Sequence, residues 1–276
     1  MNGRIVQFDN RQPSFPEYLS KSVRELVFFQ YALGYLVMNS LRTRYRRSYL
    51  GFFWSLVNPL LTMLVISVVF SALWNMRFRD FGIYIFSGLL PWMFFSNSLG
   101  AGCVSLINAE KYMKKIYLAK LLFPLAAVCT ETINLVLSMI SLLVLALVIG
   151  GHVGWSLLLL PFAVGLIFMF VLGLAIAVSV MDVYFRDLPY IIQVVLMALF
   201  YAVPIIYPMS RLPETIQNLL ILNPIYHFIV LFQMCIYEGR IPSLSTWVIC
   251  LGLSLASLVT GMLILHRNDR DLIYRL

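Results

Sequence analysis

Four arginines in six residues, Arg42, Arg44, Arg46 and Arg47, run without a spacer through Ser48, Tyr49, Leu50 and Gly51 into a long apolar segment. A guanidinium is planar, always charged, and presents its N–H groups as a fork that matches phosphate oxygens. Held beside a turn at Leu50 and Gly51, the cluster would form a donor array for phosphates at the depth of lipid headgroups. The same arginines also serve topology alone, because basic residues beside a span stay on the cytoplasmic side. Both readings stand at this point.

Glu131 is the only acidic residue well inside an apolar stretch. A carboxylate in hydrocarbon costs at least ~2.5 kcal/mol, so it should face other helices or a cavity. A part in gating or substrate passage and a part as an interhelical hydrogen-bonding group both fit. Tyr84, Phe86, Trp92, Phe94 and Phe95 crowd one short stretch. Aromatic faces stack on the flat faces of ring-shaped groups without fixing a register, which makes these five candidates for lining a conduit. Aromatic belts at the membrane surface are the ordinary alternative.

Other chemistry is poorly supplied. The phosphate-binding pattern GxxxxGK[ST] does not occur, so ATP binding of the usual kind is not expected here. The four cysteines are far apart and lack CxxC spacing, which reads as small hydrophobes; no metal or cofactor is expected. Asp182, Arg186 and Asp187 make a thin cluster for a membrane enzyme. A secondary transporter needs coupling charges on broken helices in related halves, and only Glu131 qualifies. The net charge of +8 sits at the ends of apolar segments, which favours membrane lipids over nucleic acid as a partner.

The elements that must position these residues are membrane helices. Hydrophobic residues make up 61% and charged residues 12% of the chain, with a mean hydropathy of +0.89. Soluble domains carry about 25% charge. Runs at 52–74, 81–107, 121–149, 157–181, 188–207 and 244–265 each approach the roughly 20 residues that cross a bilayer. The fold class expected is all-α and integral to the membrane. Its parts are a cytoplasmic segment over 1–50, a six-helix domain over 51–265 and a tail over 266–276. No cleavable leader pattern precedes the first run, which should persist as a signal anchor. With both termini cytoplasmic, sixteen of the twenty Lys and Arg residues fall inside.

Two regions break the pattern. Ser22 and Glu25 have capping-box spacing, predicting a helix whose apolar part is too short to span and should lie in the interface. Between the last two spans, Pro204, Pro208, Pro213 and Pro224 separate apolar pieces too short to cross. A re-entrant helix pair and a surface-lying loop both fit. A third segment, 108–120, predicts a short cytoplasmic helix capped by Asn108, with Glu110 in its first turn and Met113, Ile116 and Tyr117 on one apolar side.

Arg44-Tyr45, Ser48 to Gly51, Trp54 and Asn58-Pro59 resemble the first-helix approach in permease subunits of ABC-2 type polysaccharide exporters, which carry O-antigen, teichoic acid or capsule. Further matching pieces lie downstream in the same order: 87–96 (Ser-Gly-Leu-Leu-Pro-Trp-Met-Phe-Phe-Ser), 120–124, 185–188, 204–208 and 223–224. The likeness covers residues 23–265. It implies an inner-membrane subunit exporting an undecaprenyl-diphosphate-linked polysaccharide, O-antigen foremost, powered by two copies of a separate ATPase that hold ATP and Mg. Headgroup binding would fall to Arg44, Arg46, Arg47, Tyr49, Leu50 and Gly51. Glu110, Met113, Lys114, Ile116 and Tyr117 would form the helix that couples to the ATPase, unless that segment is a topological connector only. Pro204, Pro208, Asn223 and Pro224 would form an outer gate. Six spans make a thin wall for a polymer pore, which favours a homodimer. Export of a small molecule or another glycolipid is the alternative within the class, and an enzyme of lipid-linked sugars lies outside it.

Overall fold

The computed structural model describes residues 14–46, 48–74, 77–149 and 154–275. Within them the chain is helical throughout, without strands. Two helices, α1 (Phe15–Phe28) and α2 (Gln30–Tyr45), lead through a turn at Gly51 to α3 (Trp54–Leu73) and α4 (Phe78–Cys103). The turn needs glycine, since Gly51 has φ +49°. Short helices α5 (Ser105–Asn108) and α6 (Glu110–Met113) precede α7 (Leu122–Ile149), α8 (Leu160–Tyr184) and α9 (Leu188–Tyr201). Then come α10 (Glu214–Ile221), α11 (Pro224–Ile236), α12 (Leu244–Asn268) and α13 (Leu272–Arg275).

Among the described residues, four segments are long and apolar enough to cross a membrane: α3, Leu122–Val144 of α7, Trp155–Tyr184 and α12. The pair α10 and α11, bent by 102°, makes a fifth if it counts as one span. The run expected over 188–207 is cut short, because α9 ends at Tyr201. Its 14 residues reach only about 21 Å, against a hydrocarbon core of about 30 Å. Pro204 lacks a donor and disfavours helical backbone at Val203, which stops the helix there. The 26-residue α4 is long enough but less apolar, with Ser87, Ser96, Asn97 and Ser98 along it, and it runs through the core, where Phe81, Ile85, Phe86 and Cys103 are fully buried.

The chain beyond α9 stays inside the protein without helical hydrogen bonds, and side chains supply the donors. Tyr84 Oη lies 2.8 Å from the Pro204 carbonyl and Gln233 Nε2 donates to the same oxygen at 2.8 Å. Trp74 Nε1 donates to Ile206 O at 2.9 Å and Asn223 Nδ2 to Ala202 O at 3.2 Å. Irregular backbone at membrane depth is tolerated where protein groups satisfy it in this way. On the opposite side α8 and α12 approach so closely that a Cβ on Gly261 would lie 2.2 Å from the Gly173 carbonyl oxygen. Ser254 and Ser257 of α12 reach the Leu166 and Phe170 carbonyls of α8, each at 2.7 Å. Small residues that let backbones meet are the ordinary glue of membrane helices.

Two local expectations change. The capping box of α1 is formed by Ser14 and Glu17, with the Ser14 amide 2.9 Å from Glu17 Oε2, and Pro16 in the first turn strengthens that start. Ser22 is instead buried in mid-helix and Glu25 serves elsewhere. Nor is 108–120 one helix capped by Asn108: Asn108 ends α5, and α6 is a single turn. So short a piece has little intrinsic helical stability, and the turn after it lets Tyr117 and Lys120 reach α1 and α12.

Candidate functional site

Pro59 sets up one wall of the site. It has no N–H for the Ser55 carbonyl four residues earlier. That oxygen accepts from Ser138 Oγ of α7 at 3.0 Å instead, joining α3 to α7. Between these helices, α4 and α9 lies a cavity of about 1060 Å³. Polar residues enter it at helical spacing, Ser55 and Asn58 from α3, Glu131, Asn134 and Ser138 from α7, with Ser96 and Asn97 from α4 and Gln193 from α9. Trp54, Trp92, Phe94, Phe200 and Tyr201 supply aromatic wall.

Only two charged residues line this cavity among those described, Arg44 and Glu131, and they form an ion pair with each other. Arg44 belongs to the last turn of α2 and its side chain is 43% exposed; Glu131, nine residues into α7, is 2% exposed. Arg44 Nη2 donates to Glu131 Oε1, and Asn134 Nδ2, one turn along α7, donates to Oε2 at 3.1 Å. A buried carboxylate unpaired in this setting would be strongly destabilising. Neutral amides and hydroxyls, aromatic faces and a single guanidinium can bind a polyhydroxylated chain whose one end is anionic.

The other candidates scatter. Trp92 and Phe94 line the cavity; Tyr84, Phe86 and Phe95 do not. Tyr84 anchors the chain after α9, Phe86 is fully buried in the core, and Phe95 stacks on Phe170 with ring centroids 6.2 Å apart. Arg46, Tyr49 and Leu50 are exposed and outside the cavity, and Arg47 lies outside the described residues. Pro204 and Asn223 both belong to the satisfied chain after α9: the Pro204 carbonyl is met by Tyr84 and Gln233, and Asn223 donates to Ala202 O. The Asn223 side chain also caps α11 by accepting from the Ile225 amide at 3.2 Å, with Pro224 in the first helical position. Pro208 comes next, at the start of a 3-10 turn over Met209–Arg211.

In the segment after α5, Glu110 and Lys114 pair at 2.6 Å, which holds the Glu110 carboxyl below the usual carboxylate range. Ile116 and Tyr117 are exposed, Met113 half-buried. Tyr117 Oη donates to Glu25 Oε1 of α1 at 2.7 Å, and Lys120 pairs with Asp269 at the end of α12 at 2.8 Å. The amides Asn97, Asn134 and Gln193 stand in no motif of the sequence, and Asn58 stands out there only beside Pro59; polar residues three, four or seven apart in apolar helices were the available signal.

A multi-pass helical membrane protein holding a cavity of this size and lining is built as a transport subunit. The chain belongs to the ABC-2 type transporter family, which it matches over residues 31–237. An O-antigen export system permease protein, RfbA, from Myxococcus xanthus is 35% identical over 222 residues, covering 80% of this chain and 85% of that protein. RfbA of Klebsiella pneumoniae is 26% identical over 77% of this chain and 85% of its own length. The polysialic acid transport protein KpsM of Escherichia coli is 24% identical over 75% of this chain and 81% of its own.

Proposed function

We propose that this chain is the membrane subunit of an ATP-driven exporter that moves a lipid-diphosphate-linked polysaccharide, O-antigen or a related polymer, out across the cytoplasmic membrane. The observation that carries the reading is the cavity lining, neutral amides, hydroxyls and aromatics around a single ion pair. Similarity to permeases named for O-antigen and polysialic acid supports the polymer class. In this reading α4, and α9 together with the side-chain-satisfied chain that follows it, complete six crossings, α10 and α11 form a re-entrant outer gate, and both termini are cytoplasmic. Val23, Val27, Phe28 and Tyr31 of the two N-terminal helices are exposed, as suits an interfacial segment. Two copies of the chain enclose the conduit, and two copies of a separate ATPase, docked on the segment around Ile116 and Tyr117, hold ATP and Mg.

Deleting the gene in its native host tests this. Surface polysaccharide should disappear while lipid-linked polymer accumulates inside, and the wild-type chain should restore export. Unchanged surface polymer would sink the reading, and ATP turnover by the purified chain alone would sink the division of labour.

A further inference from the structure

The cavity's only guanidinium among the described residues is engaged by a carboxylate of the same chain, 87 positions away. A carboxylate and a phosphate compete for a guanidinium through the same forked geometry. The two partners differ in exposure. Glu131 is buried and held by Asn134 at 3.1 Å, whereas the Arg44 side chain is 43% exposed at the end of α2. A phosphate can therefore reach the arginine from the open side, whereas the glutamate lies behind it.

With a lipid diphosphate as the substrate, the reading on which the present inference rests, this asymmetry bears on selectivity. An unoccupied guanidinium beside a bilayer would take any phosphate, and phospholipids bearing one phosphodiester charge far outnumber any biosynthetic intermediate. An intramolecular carboxylate acts at high effective concentration without ever diffusing away. A phosphodiester brings one charge, no more than Glu131 already supplies. A diphosphate brings a second phosphate, more charge and more acceptor oxygens. Specificity often rests on such a penalty against the wrong partner.

We infer that Glu131 sets the headgroup selectivity of the site: it keeps Arg44 from lipids bearing one phosphate and yields it to a diphosphate. Glu131 then remains held by Asn134 at the cavity wall. The role is one of positioning, exerted through Arg44.

The test uses the full chain in lipid nanodiscs, titrated with farnesyl diphosphate and with a monophosphate diester, methyl farnesyl phosphate, which carries the single charge of a phospholipid phosphodiester. Wild type should prefer the diphosphate by about tenfold or more, the scale of one charge-assisted hydrogen bond. In Glu131→Gln the monophosphate should bind about tenfold tighter while the diphosphate changes far less, so that the preference collapses. Glu131→Asp keeps the charge with a weaker grip and should move the ratio the same way by less. It carries the test if the glutamine variant does not fold. Inorganic pyrophosphate should compete with farnesyl diphosphate in the wild type, because the headgroup is what is read; failure to compete overturns the inference. A wild-type preference left unchanged in both Glu131 variants overturns it while the diphosphate reading survives. If wild type binds neither probe, or Arg44→Ala/Glu131→Gln binds both as wild type does, the diphosphate reading falls and the inference with it.

Discussion

The Tyr84 hydroxyl lies 2.8 Å from the Pro204 carbonyl, joining the central helix α4 to the non-helical chain beyond α9. It also lies 2.8 Å from the Tyr207 carbonyl. Both carbonyls are in a stretch that proline has stripped of helical partners, so the hydroxyl offsets a desolvation that nothing local can relieve. Tyr84→Phe should lower stability by about 1–3 kcal/mol, read as a fall in the melting temperature of the detergent-purified chain. The same change at exposed Tyr49 should leave melting unaltered. Equal melting of the two variants would remove Tyr84 from this role.

Ser138 and Pro59 should be energetically coupled. With Pro59 present the Ser55 carbonyl relies on Ser138 Oγ, and Ser138→Ala should cost about 1 kcal/mol. In a Pro59→Ala background residue 59 regains an N–H for that carbonyl, so the serine change should cost measurably less. A double-mutant cycle in thermal melting reads the difference. Identical costs in the two backgrounds would show that the hydroxyl does not replace the missing helical donor.

The contact of α8 with α12 leaves no room for a methyl group. A Cβ at residue 261 would sit 2.2 Å from the Gly173 oxygen, which is backbone and cannot rotate aside. Gly261→Ala should therefore destabilise by about 3 kcal/mol or more, seen as loss of folded protein in membranes. Gly165→Ala and Gly252→Ala, with nothing near the added atom, should accumulate normally. Normal accumulation of Gly261→Ala would contradict the close approach.

The segment between α6 and α7 offers exposed Ile116 and Tyr117. Replacing both with Asp should abolish export and association with the ATPase while the purified chain still folds and keeps its oligomeric state. Tyr117→Phe, which loses only the hydrogen bond to Glu25, should retain ATPase binding. Export and co-purification at wild-type levels in the double Asp variant would mean that the segment serves topology alone.

What the chain's own residues determine is whatever depends on local composition. Apolar run length marks Trp54–Leu73 and Leu244–Asn268 as crossings because the cost of burying a peptide group in lipid is met within the helix itself. Proline ends the helix before Pro204 and starts α11 at Pro224 for equally local reasons. The ordered pieces from Arg44 to Pro224 also carry the family. The tertiary structure alone decides which face of each helix does what. A membrane helix is apolar all round, so the periodicity that marks the buried face of a soluble helix is missing. The aromatic stretch of α4 therefore looked uniform, yet Trp92 and Phe94 face the cavity while Tyr84, Phe86 and Phe95 face the core. Ser22 and Glu25 showed a capping pattern, yet packing against the rest of the chain buries Ser22 in mid-helix and the box forms at Ser14 and Glu17. Arg44 was conspicuous as a charge at the edge of lipid and Glu131 as one well inside an apolar stretch. That they answer one another across 87 positions comes from the folding of α2 against α7, which brings together charges that neither segment could neutralise alone.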